Sequence, residues 1–325
     1  MDWQKCHELL LQGDYDNGWP DHSVIVSDNP QRGTYSASTY GKSVWQGDVE
    51  PITLLINAEF GDGDTIQFWR FVEAAKARVS KVVLRCNEDF RDLFHTVEVV
   101  GKEDQLPYFD KVIHMMALPK VLGIHKSEIS GAAYLKPNPK FPPQTAIQCI
   151  SVLRFFKVGI CWSGNPFNTR DRFRSVPVES FDRLKIMPGL KFFTLNNVFD
   201  PPEDYINIKP LMREWNETAH LIQIMDLVIT VDTAIAHLAG AMGKNVWMLT
   251  PDQMPDWRWG LSGEKTLWYD SMTLFRREQS WDKAFDKMEI AFRELFESLK
   301  AKESCGLAYA SCEASTYSAL QEPNF

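Results

Sequence analysis

Acidic side chains follow an apolar run in the segment "INAEFGDGDTIQFWRF" (56–71), where Asp62 and Asp64 alternate with glycines. Glycine tolerates positive φ and lets a ligand come close to the backbone. Two interpretations of this pair stay open. Asp64 could cap the following helix while Asp62 occupies the turn, or the pair could hold a divalent metal as an Asp-X-Asp motif. No other cluster of Asp, Glu or His stands nearby in the sequence, so we expect no metal site.

Three arginines within five residues follow another apolar run in "KVGICWSGNPFNTRDRFRSVP" (157–177). Arginine binds phosphate well because its planar fork donates two parallel hydrogen bonds. The segment therefore predicts an anion site, although a solvated loop with arginines paired to Asp171 remains the alternative. The candidate side chains of this segment are Ser163, Asn165, Arg170, Arg172 and Arg174.

An apolar strand-like run ends at Asp232 and Thr233 in "ITVDTAIAHLAGAMG" (229–243), and a helix of small residues follows it directly. The backbone N–H groups of Thr233, Ala234 and the next residue would then be unpaired at a helix N-terminus, which attracts anions. Asp232 would accept hydrogen bonds from sugar or ribose hydroxyls. His237 could donate to the same ligand, or could be a packed core residue.

Aromatic residues are concentrated after the next strand, in "PDQMPDWRWG" (251–260) and "LWYDSMTLFRR" (267–277). Such rings can stack on a nucleobase or sugar, and core packing explains at least part of them. Trp257 and the adjacent Arg258 are the candidate ligand-binding residues of this stretch.

Apolar strand-like runs alternate with helical patterns, which is typical of an α/β fold with parallel sheets. We predict a proline-rich linker at 135–145, which divides the chain into domains 1–145 and 146–325, with the tail 304–325 either disordered or packed on the first domain. The predicted strands are 51–57, 81–86, 111–116, 157–162, 190–196, 226–231 and 245–250. The predicted helices are 2–12, 64–79, 87–95, 178–187, 216–225, 233–242 and 280–303, with an irregular stretch at 13–50.

The composition limits the classes of function. The chain has 325 residues and a net charge of −8, which argues against a broad nucleic-acid surface. The six cysteines form no C-x-x-C pair, no signal peptide is evident, and no apolar run is long enough for a membrane span. We therefore expect a cytoplasmic protein, free or peripheral to the inner membrane.

The order and content of these motifs resemble the heptosyltransferase-like glycosyltransferases of family 9, in particular the variant often found behind tetratricopeptide repeats. The resemblance covers roughly residues 45–295. It rests on "DLVITVDTAIAHLAGAMGKNVWMLT", "DWRWG", "WYDSMTLFRR", "AEFGDGDTIQF" and "GICWSGNPFNTRDRFRSVP".

This resemblance implies a GT-B fold, in which two Rossmann-like domains with parallel sheets face each other across a cleft. It also implies an inverting, metal-independent transfer of a sugar from a nucleotide-diphosphate-sugar to an acceptor hydroxyl, with no cofactor besides this co-substrate. By motif, Asp64 matches the proposed catalytic base and Arg174 matches a diphosphate contact, with Arg172 as a further candidate. The donor-binding signature falls on Asp232, Thr233, Ala234 and His237. Asp62 departs from the family pattern, where an uncharged residue is usual.

Two other functions remain open at this point. A sugar-nucleotide epimerase shares the fold class, and a non-catalytic protein could retain the fold to bind sugar nucleotides. An NAD-dependent oxidoreductase lacks support because no G-x-G-x-x-G follows the strands at 51–57, 81–86 or 157–162.

Overall fold

Two parallel β-sheets organise the chain in the computed structural model, which describes residues 1–28, 37–58, 60–185 and 189–304. Each sheet has five strands among these residues. The N-terminal sheet contains β1 (Ser43–Val44), β2 (Glu50–Asn57), β3 (Val79–Arg85), β4 (Glu98–Val100) and β5 (Lys111–His114), in the order β1-β5-β2-β3-β4. The C-terminal sheet contains β6 (Phe156–Cys161), β7 (Leu190–Thr194), β8 (Leu227–Val231), β9 (Val246–Thr250) and β10 (Met272–Arg276), in the order β10-β9-β8-β6-β7.

The α-helices of the described chain connect and cover these sheets. They are α1 (Trp3–Leu11), α2 (Tyr15–Gly18), α3 (His22–Asp28), α4 (Ala37–Tyr40), α5 (Asp62–Lys76), α6 (Leu118–Leu122), α7 (Thr145–Ser151), α8 (Asp171–Arg174), α9 (Trp215–Ile224), α10 (Ala234–Ala241) and α11 (Asp282–Ser304). Short 3-10 helices include Glu88–Phe90, Val178–Leu184 and Trp257–Trp259. No helix in the described ranges combines the length and apolar composition that crossing a membrane requires.

Apolar runs bury the inner parts of the central strands, as parallel strands covered on both faces require. All residues of β8 and β9 are buried. The small residues of α10 bring that helix close to the C-terminal sheet, and a Cβ on Gly240 would meet the Tyr269 ring at 2.5 Å. On the opposite face, the Phe292 ring of α11 lies edge-on to Trp247 of β9, with ring centroids 5.6 Å apart.

The predicted α/β architecture with two parallel sheets is confirmed. The predicted strands match β2, β3, β5, β6, β7, β8 and β9, with each end within two residues. Three strands were not predicted: β1, β4 and β10. The first two are two and three residues long, too short to show a period.

Two predicted helices were wrong. The stretch 87–95 forms only the 3-10 helix Glu88–Phe90 followed by turns, and the described part of 178–187 is the 3-10 helix Val178–Leu184. The stretch 13–50 is less irregular than predicted, since α2, α3, α4 and β1 lie in it. The acidic residue at position 59 and the tail 305–325 lie outside the described residues.

The proline-rich stretch 135–145 runs between the two sheets, and both sides hold it by hydrogen bonds. Backbone N–H groups of Tyr134 and Leu135 donate to the Ala241 carbonyl at 2.8 and 3.0 Å. Asn138 is fully buried; its side chain donates to the Asp92 carbonyl at 2.9 Å, and its N–H donates to Asn216 Oδ1 at 2.7 Å. The segment is therefore anchored rather than a free tether.

Candidate functional site

A cleft of about 590 Å³ lies between the two sheets and is lined from both sides. The N-terminal side contributes the start of α5, and the C-terminal side contributes the loop after β6 and the start of α10. Eleven of the thirteen sequence-predicted site residues line it: Asp62, Asp64, Ser163, Asn165, Arg170, Arg174, Asp232, Thr233, Ala234, His237 and Arg258. Arg172 and Trp257 are not among its lining residues.

Asp64 lies in the first turn of α5, not at its cap, because the helix begins at Asp62 with Gly61 as the N-cap. One carboxylate oxygen, Oδ2, accepts from the Gly61 N–H at 3.1 Å. The other, Oδ1, accepts from Arg258 Nη2, which reaches it from the C-terminal side of the cleft. Its side chain remains 27% exposed, so the carboxylate faces the cleft while both oxygens are oriented by donors.

Asp62 opens α5 and faces a different part of the cleft, toward Asn87 and Trp215. Burial raises the pKa of the Asp62 carboxyl above its usual value, against the opposing effects of Lys102 and of hydrogen bonds from Asn87 and Trp215. Among the described residues, no group of three His, Cys, Asp or Glu side chains is arranged to hold a metal ion. Asp62 and Asp64 thus have separate environments.

The two sides of the cleft approach each other closely at Gly63. A Cβ on this glycine would lie 2.8 Å from His237 Cδ2 and 3.5 Å from the Ala234 Cα. A side chain at position 63 would therefore push α5 away from α10. The absence of a side chain at position 63 lets α5, and with it Asp64, lie close to α10.

The loop after β6 is folded around the buried Asp171 carboxylate. Its Oδ1 accepts from the Gly164 N–H at 3.1 Å and from Arg174 Nε at 3.0 Å, and its Oδ2 accepts from the Ser175 hydroxyl at 2.7 Å. Arg174 Nη1 donates to the Asp232 carbonyl at 2.6 Å. None of these bonds uses Arg174 Nη2, so this nitrogen keeps donor capacity at the cleft.

The side chains of the loop after β6 differ in their position relative to the cleft. Arg172 is exposed, and its guanidinium lies 4.7 Å from the Phe173 ring centroid, so its predicted place in the ligand site is not supported by its position. Arg170 and Asn165 are exposed at the cleft edge. Ser163 is buried, and its hydroxyl accepts from Asn196 Nδ2 at 2.6 Å.

The start of α10 offers backbone N–H groups to the cleft. Thr233 is the N-cap, and its side chain makes no capping hydrogen bond. Its hydroxyl lies 3.3 Å from the Thr230 hydroxyl and 3.6 Å from Cys161 Sγ, so it is turned toward the strand ends. The first N–H groups of a helix have no partner within the helix, and they carry its positive partial charge. This end of α10 can therefore hold an anion.

Titratable groups at the cleft have perturbed pKa values. Burial and the nearby Asp256 carboxylate raise the pKa of Asp232 to about 6, while Arg174 opposes this shift. Burial holds the pKa of His237 well below its usual value, so the imidazole is neutral at physiological pH. Its Nδ1 lies 2.8 Å from the Tyr269 hydroxyl.

The aromatic residues after β9 form core rather than a stacking platform. Trp257 is 3% exposed, and its ring packs against Tyr15, Trp19 and Trp268. Its predicted role as a ligand-binding residue is therefore not supported by its position. Trp259, Trp268 and Tyr269 are buried as well.

Sequence reasoning missed the partners that hold the site together. Gln67 and Asp256 both bond to Arg258, and Asn196 supports Ser163. Asp171 was foreseen only as the partner in a solvated ion pair, whereas it is 8% exposed and organises the loop. Sequence carries little signal for Gln67, because its partner lies 191 positions away.

Comparisons with known proteins bear on this site. The model of glycosyltransferase family 9 (heptosyltransferase) matches residues 202–260, a segment that contains Asp232, His237, Asp256 and Arg258. This match confirms the predicted resemblance to the family, and it supports the prediction that the chain is a glycosyltransferase. No comparison tests the link to tetratricopeptide repeats, and no curated protein matches this chain.

Several solved structures are similar over most of the chain. A family 9 glycosyl transferase from Veillonella parvula is 11% identical over 74% of this chain and 90% of its own, with a TM-score of 0.48. The E. coli ADP-heptose lps heptosyltransferase II is 11% identical over 77% and 99%, with a TM-score of 0.49. E. coli heptosyltransferase WaaC with ADP-2-deoxy-2-fluoro heptose is 12% identical over 74% and 99%, with a TM-score of 0.45.

Proposed function

We propose that this protein is an inverting, metal-independent glycosyltransferase that moves a sugar from a nucleotide-diphosphate-sugar to an acceptor hydroxyl. The proposal rests on one observation above all. A carboxylate at the start of α5 and an anion-binding helix end at the start of α10 face the same cleft from opposite sheets. The cytoplasmic location expected from the sequence remains part of this proposal.

The donor diphosphate binds at the C-terminal side of the cleft. The N–H groups at the start of α10 and the unused nitrogen of Arg174 are fixed before the ligand arrives, since the Asp171 carboxylate and the Asp232 carbonyl hold the guanidinium. Charge develops on the leaving phosphate in the transition state, and preorganised donors stabilise it. These groups supply the positive charge that a metal ion would otherwise supply, which is why the proposal needs none.

The sugar of the donor lies toward Asp232 and His237. His237 is neutral, and the nitrogen not bonded to Tyr269 is available to a sugar hydroxyl in the cleft. The raised pKa of Asp232 leaves part of this carboxyl protonated near pH 6, so that it can donate as well as accept a hydrogen bond.

Asp64 acts as the general base. In an inverting transfer, the acceptor hydroxyl attacks the anomeric carbon from the face opposite the leaving diphosphate and loses its proton to the base. Each Asp64 oxygen retains a lone pair beside its hydrogen bond, so the carboxylate can accept that proton. A positioned base of this kind contributes about 10²–10⁴-fold to the rate.

The test compares Asp64→Asn with Asp62→Asn. Both residues lie in the first turn of α5 and line the cleft, but only Asp64 contacts Arg258. The first measurement is consumption of a panel of nucleotide sugars, ADP-heptose included, with product analysis by mass spectrometry. We expect Asp64→Asn to lower turnover at least about 10²-fold while calorimetry shows unchanged binding of the nucleoside diphosphate.

The outcomes separate the candidate functions. Loss of turnover in Asp62→Asn alone would transfer the base role to Asp62. An epimerised sugar formed without acceptor would favour the epimerase. Nucleotide binding with no turnover of any donor would favour a non-catalytic binding protein.

A further inference from the structure

The Arg258 guanidinium is the most deeply buried charged group at the cleft, with a side chain 6% exposed. It comes from the short 3-10 helix Trp257–Trp259, on the C-terminal side. A buried cation is stable only when its hydrogen bonds are satisfied and its charge is balanced. The identity of its partners therefore indicates what the side chain does.

Every nitrogen of this guanidinium has a side-chain acceptor. Nε donates to Gln67 Oε1, Nη1 donates to Asp256 Oδ1 at 2.9 Å, and Nη2 donates to Asp64 Oδ1. Gln67 and Asp64 both belong to α5, one turn apart on the opposite side of the cleft. Arg258 thus reaches across the cleft to hold two residues of the helix that carries the proposed base.

The orientation of the guanidinium is fixed by more than hydrogen bonds. Its central carbon lies 4.3 Å from the Trp257 ring centroid and 6.0 Å from the Phe68 ring centroid, both within reach of a cation–π interaction. Asp256 holds the arginine twice, since its Oδ1 also accepts from the Arg258 N–H at 3.1 Å. A guanidinium clamped in this way presents Nη2 at one place only.

These contacts distinguish Arg258 from a phosphate-binding arginine. Two carboxylates, Asp64 and Asp256, balance its charge, and its fork is occupied by protein acceptors. Arg174 differs, because it bonds to one carboxylate and one carbonyl and retains Nη2 at the cleft. Donor binding at Arg258 would require breaking buried ion pairs.

We propose that Arg258 is a positioning residue for Asp64: its Nη2 holds the carboxylate in one orientation, and it can do so only when the two sides of the cleft are together. This inference rests on the proposed function. The bond to Oδ1 leaves the remaining lone pairs of a fixed carboxylate for the acceptor proton.

The test uses Arg258→Lys, Arg258→Met and the control Arg276→Lys. Lysine keeps the charge but loses the fork, whereas methionine keeps only the apolar stem. Arg276 is also an arginine of the C-terminal side, but its bonds go to backbone carbonyls of Trp259, Gly260, Ser262 and Gly263, so its loss perturbs local structure without touching Asp64.

The measurement is turnover of the donor identified above as a function of donor concentration, which gives kcat and KM separately. In Arg258→Met we expect kcat to fall about 10²-fold, the cost of a misplaced catalytic group, with the donor KM changed less than threefold. Arg258→Lys should recover only part of kcat, because lysine lacks the planar fork that holds Gln67, Asp256 and Asp64 together. Arg276→Lys should keep kcat within about threefold of wild type, because Arg276 does not touch Asp64.

A double-mutant cycle separates positioning from a general structural role. If Arg258 acts through Asp64, adding Arg258→Met to Asp64→Asn should lower the residual turnover less than threefold, whereas a structural role would lower it as much as in the wild-type background. Additive losses, or a nucleoside-diphosphate affinity that falls more than tenfold in Arg258→Met, would each overturn the inference. These results leave the proposed function standing if Asp64→Asn loses turnover as expected. Wild-type turnover in Asp64→Asn would instead overturn the base assignment, and the inference with it.

Discussion

Asp232 is a carboxylate beside the proposed phosphate site, and its position directly after β8 places it there. Its environment contains both signs of charge, with Asp256 opposing its ionisation and Arg174 and Arg258 favouring it. Burial adds to the effect of Asp256, and the net result is a raised pKa. The folded chain therefore holds a proton on Asp232 more tightly than the unfolded chain does.

This raised pKa predicts a pH dependence of stability. The folded pKa of Asp232 is about 6 against a usual value of 3.8, so the contribution of this carboxyl to wild-type stability should fall as pH rises between these values. Asp232→Asn does not ionise there. The free energy of unfolding of this variant, relative to wild type, should rise by about 1–3 kcal/mol between pH 4 and pH 7. Urea denaturation at a series of pH values measures the difference.

The control is Asp200→Asn, which removes a carboxylate that is 83% exposed and paired with Lys209. Its stability relative to wild type should change by less than about 0.5 kcal/mol over the same range. A flat difference for Asp232→Asn would show that this carboxyl titrates like an exposed one.

At the scale of elements, α5 and α10 meet closely because glycine occupies position 63. Alanine would ordinarily favour a helix over glycine by about 0.5–1 kcal/mol. Here the added Cβ would lie 2.8 Å from His237 Cδ2, closer than carbon atoms approach, and the His237 ring is itself held by Tyr269. The contact should therefore outweigh the gain in propensity.

We expect Gly63→Ala to lower the free energy of unfolding by about 1–3 kcal/mol, the usual cost of overpacking. The ring is the obstacle, since the next atom, the Ala234 Cα, would be at an ordinary 3.5 Å. In a His237→Ala background, Gly63→Ala should consequently cost nothing or stabilise slightly. Urea denaturation of the four proteins measures the coupling. Equal costs in both backgrounds would contradict the steric argument.

Local sequence patterns predicted most strands of the two sheets. They failed where contacts between residues far apart in the sequence determine the backbone conformation. The stretch 87–95 has an Asn cap and helical spacing, yet its 3-10 helix ends at Phe90, whose ring stacks on Trp215 of α9 at 5.2 Å. Packing against α9 therefore overrides helix propensity. Periodicity gives no information about such a partner.

The candidate site was predicted as a set of strand ends, and the structure brings eleven of its residues to one cleft. Parallel topology makes this possible, since loops that follow neighbouring strands meet at one edge. The residue types alone do not show whether Arg172 or Arg174 reaches the cleft, since the two lie two positions apart on the four-residue helix α8. Only the fold around Asp171 decides which of them reaches the cleft.

At the scale of the whole molecule, the N-terminal segment joins the two sides. Trp19 is 2% exposed and contacts the rings of Phe68 and Phe71 on α5 as well as Trp257 and Trp268 on the C-terminal side. Its Nε1 donates to the Ile124 carbonyl at 3.1 Å. The irregular stretch predicted at 13–50 thus contains a residue that fastens the sheets together.

Trp19→Ala should lower the free energy of unfolding by about 3–5 kcal/mol, because it opens a cavity among these four aromatic rings and that of Tyr15. It should also divide unfolding into two transitions, since the two sides lose a shared core. Trp19→Phe keeps most of the ring contacts and should lower the free energy of unfolding less. Phe167→Ala removes an exposed ring and should lower it by under about 0.5 kcal/mol. Urea denaturation followed by near-UV and far-UV circular dichroism would resolve the transitions. A single transition with a small shift in Trp19→Ala would mean that contacts such as those of Arg258 and Gly63, rather than the aromatic cluster, hold the cleft closed.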